Sequence, residues 1–180
     1  IIKSITFARI NNIPYLGICL GMQLAVIEYC RNVLGIKNAS SSEFGNKNNI
    51  HVVDLMKEWK KNNGNKEKRS KKSNLGGTQR LGTYDAEIKK DTLAYKLYGS
   101  GRIKERHRHR YEVDIKYKDE LEKNGMIMSG LSPDGKLPEI IELKDHVFFI
   151  ASQFHPEFNS NPFKHNPLFK GFIEEALNQK

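Results

Sequence analysis

Apolar positions along the chain follow two periods, of about two and about 3.6 residues, which predicts a mixture of strands and helices. The run at residues 13–16 predicts a short buried strand. From residue 20 to residue 34 apolar side chains recur at near-helical spacing, and Gly35 follows as a stop signal, which predicts a helix. Further strands are predicted at 51–55, 82–88, 126–131, 139–143 and 147–154, with a hairpin turn at 144–146 and a short helix or turn at 92–98. This order of elements predicts an α/β fold with antiparallel additions.

The C-terminal segment predicts one more helix, with an apolar stripe that we expect to pack on the sheet. The stripe consists of Leu168, Phe169, Phe172, Ile173, Ala176 and Leu177.

The junction between the first strand and the following helix has the sequence GICLG at residues 17–21. A cysteine between two glycines at a strand-to-helix turn is typical of a nucleophile elbow, in which the apex residue is strained and its neighbours are small. The N-terminus of the helix is expected to favour a thiolate at Cys19. The alternative is that Cys19 is a small buried hydrophobic residue, as many free cysteines are.

A second candidate for chemistry lies far downstream, where the strand at 147–154 ends in His155, Pro156 and Glu157. A histidine that activates a cysteine needs its other ring nitrogen held, usually by a carboxylate. Glu157 is close enough in sequence to supply it, and Pro156 stiffens the backbone between the two. We therefore predict a triad of Cys19, His155 and Glu157 as nucleophile, base and orienting acid. Both strands that lead to it end where open α/β sheets carry their active sites.

Composition and charge do not alter the predicted fold class or the predicted triad. The 180 residues suffice for one domain with a sizeable core. A net charge of +9 would suggest nucleic-acid binding, but residues 57–72 hold eight Lys or Arg residues against two acidic ones. We therefore predict a solvated, largely disordered Lys/Asn-rich insertion at about 57–74. Nucleic-acid binding is not expected, and a contact through this insertion is the alternative.

The two cysteines of the chain, Cys19 and Cys30, do not make a disulfide framework, and Cys30 falls within the helix pattern as a buried thiol. Neither a signal peptide nor an apolar run of membrane-spanning length is visible. These features predict a reducing, cytoplasmic setting and no membrane association.

Five segments carry a family resemblance. LGICLGMQ at 16–23 and FHPE at 154–157 resemble the class I glutamine amidotransferases. NASSSEF at 38–44, LGGTQRLG at 75–82 and ERHRHRYEV at 105–113 narrow the resemblance to the CTP synthase family. The resemblance implies an open, mostly parallel, flavodoxin-like sheet with flanking helices. It also implies that residues 1–180 are a glutamine amidotransferase domain whose N-terminal part is missing.

The resemblance assigns roles to seven residues and implies no metal ligand. Three match the family's catalytic triad: Cys19, His155 and Glu157. Four match residues that bind L-glutamine: Leu20, Gln23, Glu43 and Arg110. The family places Glu43 at the substrate ammonium and Arg110 at its carboxylate, which a guanidinium fork suits. Without the family, Glu43 would be interpreted as an ordinary surface or capping acid, and nothing intrinsic would distinguish Arg110 from the neighbouring basic residues.

The activity implied by the resemblance involves more than this domain. A glutaminase of this family hydrolyses L-glutamine through a cysteine thioester and passes ammonia to a synthetase domain of the same full-length chain. There, ATP and Mg²⁺ support the conversion of UTP to CTP, and GTP is an allosteric activator of the glutaminase step. The family further implies a homotetramer of the full-length enzyme. Because the missing part includes the loop that supplies an oxyanion-hole amide, we expect the chain alone to be weakly active or inactive.

Two other functions stay open. A γ-glutamyl hydrolase-like cysteine hydrolase or a cysteine peptidase would share the elbow and the triad, although the Arg/His segment argues against it. A non-catalytic regulatory or filament-forming module would keep the motifs without the activity, and an unreactive Cys19 would favour it.

Overall fold

The computed structural model describes residues 1–45, 48–55 and 80–179, together with the backbone of two short strands at 58–60 and 66–68. The helices are α1 (Ile2–Ile10), α2 (Leu20–Asn32), α3 (Leu93–Tyr98), α4 (Lys118–Lys123) and α5 (Pro167–Asn178). The strands are β1 (Tyr15–Ile18), β2 (Ala39–Ser41), β3 (Ile50–Leu55), β4 (Glu58–Lys60), β5 (Lys66–Lys68), β6 (Arg80–Ile88), β7 (Arg102–His109), β8 (Tyr111–Val113), β9 (Met126–Leu131), β10 (Pro138–Leu143) and β11 (Phe149–Ser152). Strands β4 and β5 pair with each other, while the rest of the insertion and residues 75–79 of the LGGTQRLG motif lie outside the described residues.

The main sheet has six strands in the order β1-β11-β10-β9-β6-β7, and a smaller sheet has the order β2-β3-β8. The predicted α/β class is confirmed, and the sheet is mixed. Within the six-stranded sheet only β1 and β11 pair in parallel. The parallel content is thus lower than the resemblance implied, because the short turns that join β9, β10 and β11 can connect only antiparallel neighbours.

Side chains of the main sheet alternate between two apolar cores, as strand geometry requires. In β11, Phe149 and Ala151 belong to the core that includes α1 and α2, whereas Ile150 belongs to the core that includes α3 and α5. In β10, Ile141 and Ile140 divide in the same way. Helices therefore cover both faces of the sheet.

Helix α2 is buried on all sides, from Met22 to Cys30. It packs against β1 and β11 of the main sheet and against β2, β3 and β8 of the smaller one, so neither of its faces meets solvent. Its one buried acid, Glu28, is paired with Arg9 of α1 at 2.8 Å. The prediction that Cys30 is a buried thiol is confirmed. The helix whose N-terminus carries Cys19 is thus packed between the two sheets.

Several elements differ from the sequence predictions, among them β7 and α4, which were not predicted. Strand β1 begins two residues later than expected, at Tyr15, so that Cys19 follows it directly. Helix α1 was not predicted. In α5 the apolar stripe packs only in part, because Ile173 and Leu177 are 55% and 57% exposed. In the described part of the chain, no helix has the length and apolar character needed to cross a membrane.

Candidate active site

Cys19 occupies the tight turn between β1 and α2. Its backbone φ is 52° and its ψ is −102°, a combination that L-residues adopt only at a cost. Its N–H donates to the carbonyl oxygen of Ser152 at 2.7 Å, which ties the turn to the end of β11. A Cβ at Gly17 would lie 2.8 Å from the Cβ of Ala151, so this position needs glycine, whereas a Cβ at Gly21 would make only an ordinary 3.5 Å contact. The geometry of the turn is that of the elbow predicted from the sequence.

His155 follows β11 and precedes the short 3₁₀ helix Pro156–Asn159. Its Nδ1 lies 2.6 Å from Oε1 of Glu157, and its backbone N–H donates to the carbonyl oxygen of Arg106 at 2.8 Å. The imidazole stacks on the ring of Phe158, with the two centroids 5.2 Å apart. The other ring nitrogen, Nε2, is buried and has no hydrogen-bond partner among the described residues. The imidazole is therefore held in one orientation with Nε2 free for proton transfer.

The pairing of β1 with β11 brings these two elements to one edge of the sheet. Ile18 is in register with Ser152, so the residues that follow each strand, Cys19 and Gln153, are neighbours. The Nε2 atom of Gln153 lies 3.6 Å from Sγ of Cys19. His155 follows two residues later in the same segment.

The charge state of Cys19 differs from the one predicted. Burial raises the pKa of its thiol to about 11, and neighbouring carboxylates act in the same direction. These carboxylates belong to Glu112, Glu157 and Glu43. The N–H of Leu20, at the start of α2, lowers the pKa but is outweighed by the loss of solvent. The thiolate is therefore not the resting form, and the nucleophile needs a base that removes its proton during the reaction.

Two of the four residues predicted to bind glutamine, Leu20 and Glu43, are tied to Cys19 by the structure, and a third, Arg110, lies between two strands. Leu20, the first residue of α2, has an exposed side chain. Glu43 is exposed in the 3₁₀ helix Ser42–Phe44, and its charge acts on the Cys19 thiol. Arg110 links β7 and β8 and is half-buried, and its Nε has no hydrogen-bond partner in the part of the chain that the structure describes. The charge of Glu43 thus acts on the cysteine, whereas no such effect is shown for Arg110.

Gln23, the fourth of these residues, lies in a different setting. It is 3% exposed, and its side-chain nitrogen donates to the carbonyl oxygen of Tyr111 at 3.0 Å and to Oε1 of Gln153 at 3.1 Å. Both of these contacts are internal to the protein. Through these hydrogen bonds Gln23 connects β8 with the segment that carries His155.

A cluster of buried ionisable side chains was not predicted from the sequence, and one of its members, Glu112, acts on the Cys19 thiol. Its members are Arg80, His107, His109, Glu112 and Glu139. Nη1 of Arg80 lies 2.6 Å from Oε1 of Glu139 and 3.6 Å from Oε1 of Glu112. Nδ1 of His107 lies 2.8 Å from Nε2 of His109. Burial lowers the pKa of His107 well below its ordinary value and that of His109 to about 3, so both are neutral. Burial also raises the pKa of Glu112 despite the nearby guanidinium.

A signal for this cluster was present in ERHRHRYEV. Successive side chains of a strand point to opposite faces, so histidines at every second position lie on one face and the arginines between them on the other. The structure buries His107 and His109 and exposes Arg106 and Arg108. Within the described residues, no group of three or more His, Cys, Asp or Glu side chains is arranged to hold a metal ion.

Comparison with known proteins identifies the family of the chain. The family model for class I glutamine amidotransferases matches residues 1–175, and the chain belongs to that family. It is 58% identical over 179 residues to a CTP synthase of Pelagibacter ubique (strain HTCC1062), a match that covers 99% of this chain and 33% of that protein. It is 53% identical over 178 residues to a CTP synthase of Paramagnetospirillum magneticum (strain ATCC 700264 / AMB-1), over 99% and 32% of the two chains. The chain therefore spans about a third of the length of these curated relatives.

A solved structure gives the same result. The glutaminase domain of the Trypanosoma brucei CTPS, with bound acivicin, matches this chain with a TM-score of 0.85 and 38% identity. The match covers 98% of this chain and 65% of that one.

Proposed function

We propose that this chain is the glutaminase domain of a CTP synthase, which hydrolyses L-glutamine at Cys19 and supplies ammonia for the synthesis of CTP. The observation that carries the proposal is the elbow at Cys19, which follows a strand paired with the one that precedes a histidine. Glu157 orients this histidine, whose Nε2 is unpartnered among the described residues. The similarity to CTP synthases over 99% of the chain supports glutamine as the substrate.

Hydrolysis begins when Sγ of Cys19 attacks the side-chain carbonyl carbon of glutamine. Nε2 of His155 takes the thiol proton, which is required because the pKa of that thiol is about 11. The N–H of Leu20, the residue after the nucleophile, stabilises the oxyanion that forms. His155 then protonates the departing ammonia and leaves a γ-glutamyl thioester on Cys19. A water molecule activated by the same imidazole releases glutamate and restores the thiol.

Binding of free glutamine requires one anionic and one cationic group besides the nucleophile. Glu43 binds the substrate ammonium, and its exposure and its effect on the Cys19 thiol support this role. Arg110 binds the substrate carboxylate, and its Nε, which has no partner among the described residues, supports that role. Gln23 contributes by fixing Gln153 and Tyr111.

The remaining proposals concern the longer protein and rest on the family. Residues 1–180 are its amidotransferase domain, with an insertion at about 57–74, and the ammonia passes to a synthetase domain of the same chain. In that domain ATP and Mg²⁺ support the amination of UTP, and GTP activates the glutaminase step. The full-length enzyme is a cytoplasmic homotetramer. We assign no residue of this chain to GTP.

The test compares glutamine and ammonia as nitrogen sources in the full-length protein. Cys19→Ala should abolish glutamine-dependent CTP formation and preserve ammonia-dependent formation. The matched control is Cys30→Ala, which removes the other, fully buried thiol and should retain both activities. Loss of both activities in Cys19→Ala alone would contradict the proposed division between hydrolysis and synthesis.

A non-catalytic regulatory module is the second candidate, because the Cys19 thiol is protonated at rest. It would be favoured if the full-length protein formed CTP from ammonia but released no glutamate from glutamine.

A further inference from the structure

Gln153 is a buried polar side chain that contacts the nucleophile. It follows β11 and is fully buried, and its backbone N–H donates to the carbonyl oxygen of Glu139 at 2.8 Å. Its Nε2 lies 3.6 Å from Sγ of Cys19, within hydrogen-bond range for sulfur. A buried amide is costly unless its polar atoms are used, so this contact accounts for an N–H that would otherwise be unpaired.

The direction of this hydrogen bond is fixed by a chain of contacts that ends on the backbone. The carbonyl oxygen of Tyr111 can only accept, so the group of Gln23 that faces it at 3.0 Å must be the NH₂. The same NH₂ faces Gln153 at 3.1 Å, so that atom of Gln153 must be its oxygen. Gln153 therefore turns its own NH₂ toward the sulfur of Cys19.

We infer that the side-chain amide of Gln153 donates a hydrogen bond to the sulfur of Cys19 and stabilises the negative charge that develops there when the thiol proton leaves. This inference deepens the proposed function and rests on it, since it takes Cys19 as the nucleophile. A hydrogen bond to an ionised sulfur is stronger than one to a neutral thiol, so Gln153 favours the reacting form over the resting form. Because Gln23 and Tyr111 already hold the amide in place, no reorganisation is needed during the reaction.

The surroundings of the sulfur explain why such a donor is needed. Burial and three nearby carboxylates oppose a negative charge on Cys19, and the Leu20 N–H is the backbone group that favours it. A second donor on the opposite segment of the site lowers the cost of forming the thiolate. Gln153 also belongs to the segment that carries His155, so one segment supplies both the base and the donor.

The experiment measures the rate at which iodoacetamide alkylates Cys19 in the full-length protein, followed by mass spectrometry as the pH is raised toward the pKa of the thiol. The reagent has no amino-acid groups, so the result does not depend on glutamine binding. Gln153→Met keeps the side-chain length and removes the donor. It should slow alkylation at neutral pH about tenfold and raise the apparent pKa of the thiol by about one unit.

The matched control is Ser129→Ala on β9, because Ser129 is also fully buried and its hydroxyl has no hydrogen-bond partner among the described residues. Its pH profile should equal that of the wild type. A wild-type profile in Gln153→Met would overturn the inference.

If Gln153→Met does not fold, the unaltered protein gives the answer by NMR. The side-chain NH₂ resonances of Gln153 should shift as Cys19 ionises, and this shift should be absent in Cys19→Ala. No shift in the wild type would overturn the inference. Failure of the proposed function is distinguishable, because a protein that does not hydrolyse glutamine but shows the Gln153-dependent thiol pKa would refute that function and leave the hydrogen bond established.

Discussion

Replacing Glu157 by glutamine tests whether its carboxylate orients the catalytic base. Oε1 of Glu157 lies 2.6 Å from Nδ1 of His155, and the substitution keeps the shape of the side chain but removes its charge. A hydrogen bond to a charged group contributes about 1.5–3 kcal/mol. Because the Glu157 side chain is 45% exposed, water weakens the interaction, and we take the lower end of that range. That value corresponds to a loss in kcat of about tenfold.

The loss of the Glu157 charge also has a smaller effect, which acts to raise kcat. The charge of Glu157 contributes to the raised pKa of the Cys19 thiol, so its removal eases ionisation of the nucleophile. This contribution ranks behind burial and Glu112, and we expect the loss of orientation to dominate.

The assay is steady-state release of glutamate from glutamine by the full-length protein. In Glu157→Gln, kcat should fall about tenfold while KM for glutamine is unchanged, because the residue does not bind the substrate. The control is Glu174→Gln on α5, an exposed acid 3.7 Å from Lys170, which should not alter either constant. A change of KM alone, or a kcat within about twofold of the wild type, would refute the assignment of Glu157 as the orienting acid.

Three further predictions follow from the geometry of the site and its surroundings. Alkylation of Cys19 should accelerate about tenfold for each pH unit as the pH approaches 11, because only the thiolate reacts and the pKa of the thiol is about 11. Gly17→Ala should lower the free energy of unfolding, measured with urea, by about 1–3 kcal/mol. The reason is that its Cβ would lie 2.7 Å from the Tyr15 hydroxyl and 2.8 Å from the Ala151 Cβ. His109 has an ordinary pKa of 6.5 and a pKa of about 3 in the fold, so unfolding takes up a proton between these values. As the pH falls below 6.5, the wild type should therefore lose about 1 kcal/mol of stability per pH unit relative to His109→Gln.

Each of these predictions has an outcome that contradicts it. A plateau of the alkylation rate near neutral pH would mean that the thiolate forms at rest. Gly21→Ala is the control for Gly17→Ala, because its Cβ would make only a 3.5 Å contact, and equal losses in both variants would refute the packing argument. Equal pH dependence of unfolding in the wild type and His109→Gln would mean that His109 accepts a proton within the fold.

Elements with a local signal were predictable from the sequence. The elbow needs a glycine before Cys19 and an apolar strand and helix on either side, and all of these are adjacent in sequence. Helix α1 was missed because its stability comes from distant contacts. It buries only Ile5 and Ala8, and its Arg9 pairs with Glu28, which is 19 residues away.

The chemistry of the site was less predictable than its location. Gln153 belonged to an apolar strand pattern, and its contact with Cys19 depends on Gln23 and Tyr111, which are distant in sequence. The charge state of Cys19 was predicted from the helix N-terminus, whereas burial decides it. Burial of a single side chain depends on packing between elements, and a one-dimensional pattern does not contain that information.

The most direct test of the account is the intact mass of the full-length protein after exposure to an electrophilic glutamine analogue, with and without excess glutamine. We expect a single adduct on Cys19 that glutamine prevents. Cys30 is the internal control, because it is fully buried and burial raises the pKa of its thiol to about 12. No adduct, equal modification of Cys30, or an adduct on Cys19 that glutamine does not prevent would contradict the claim that Cys19 is the nucleophile of a glutamine-binding site.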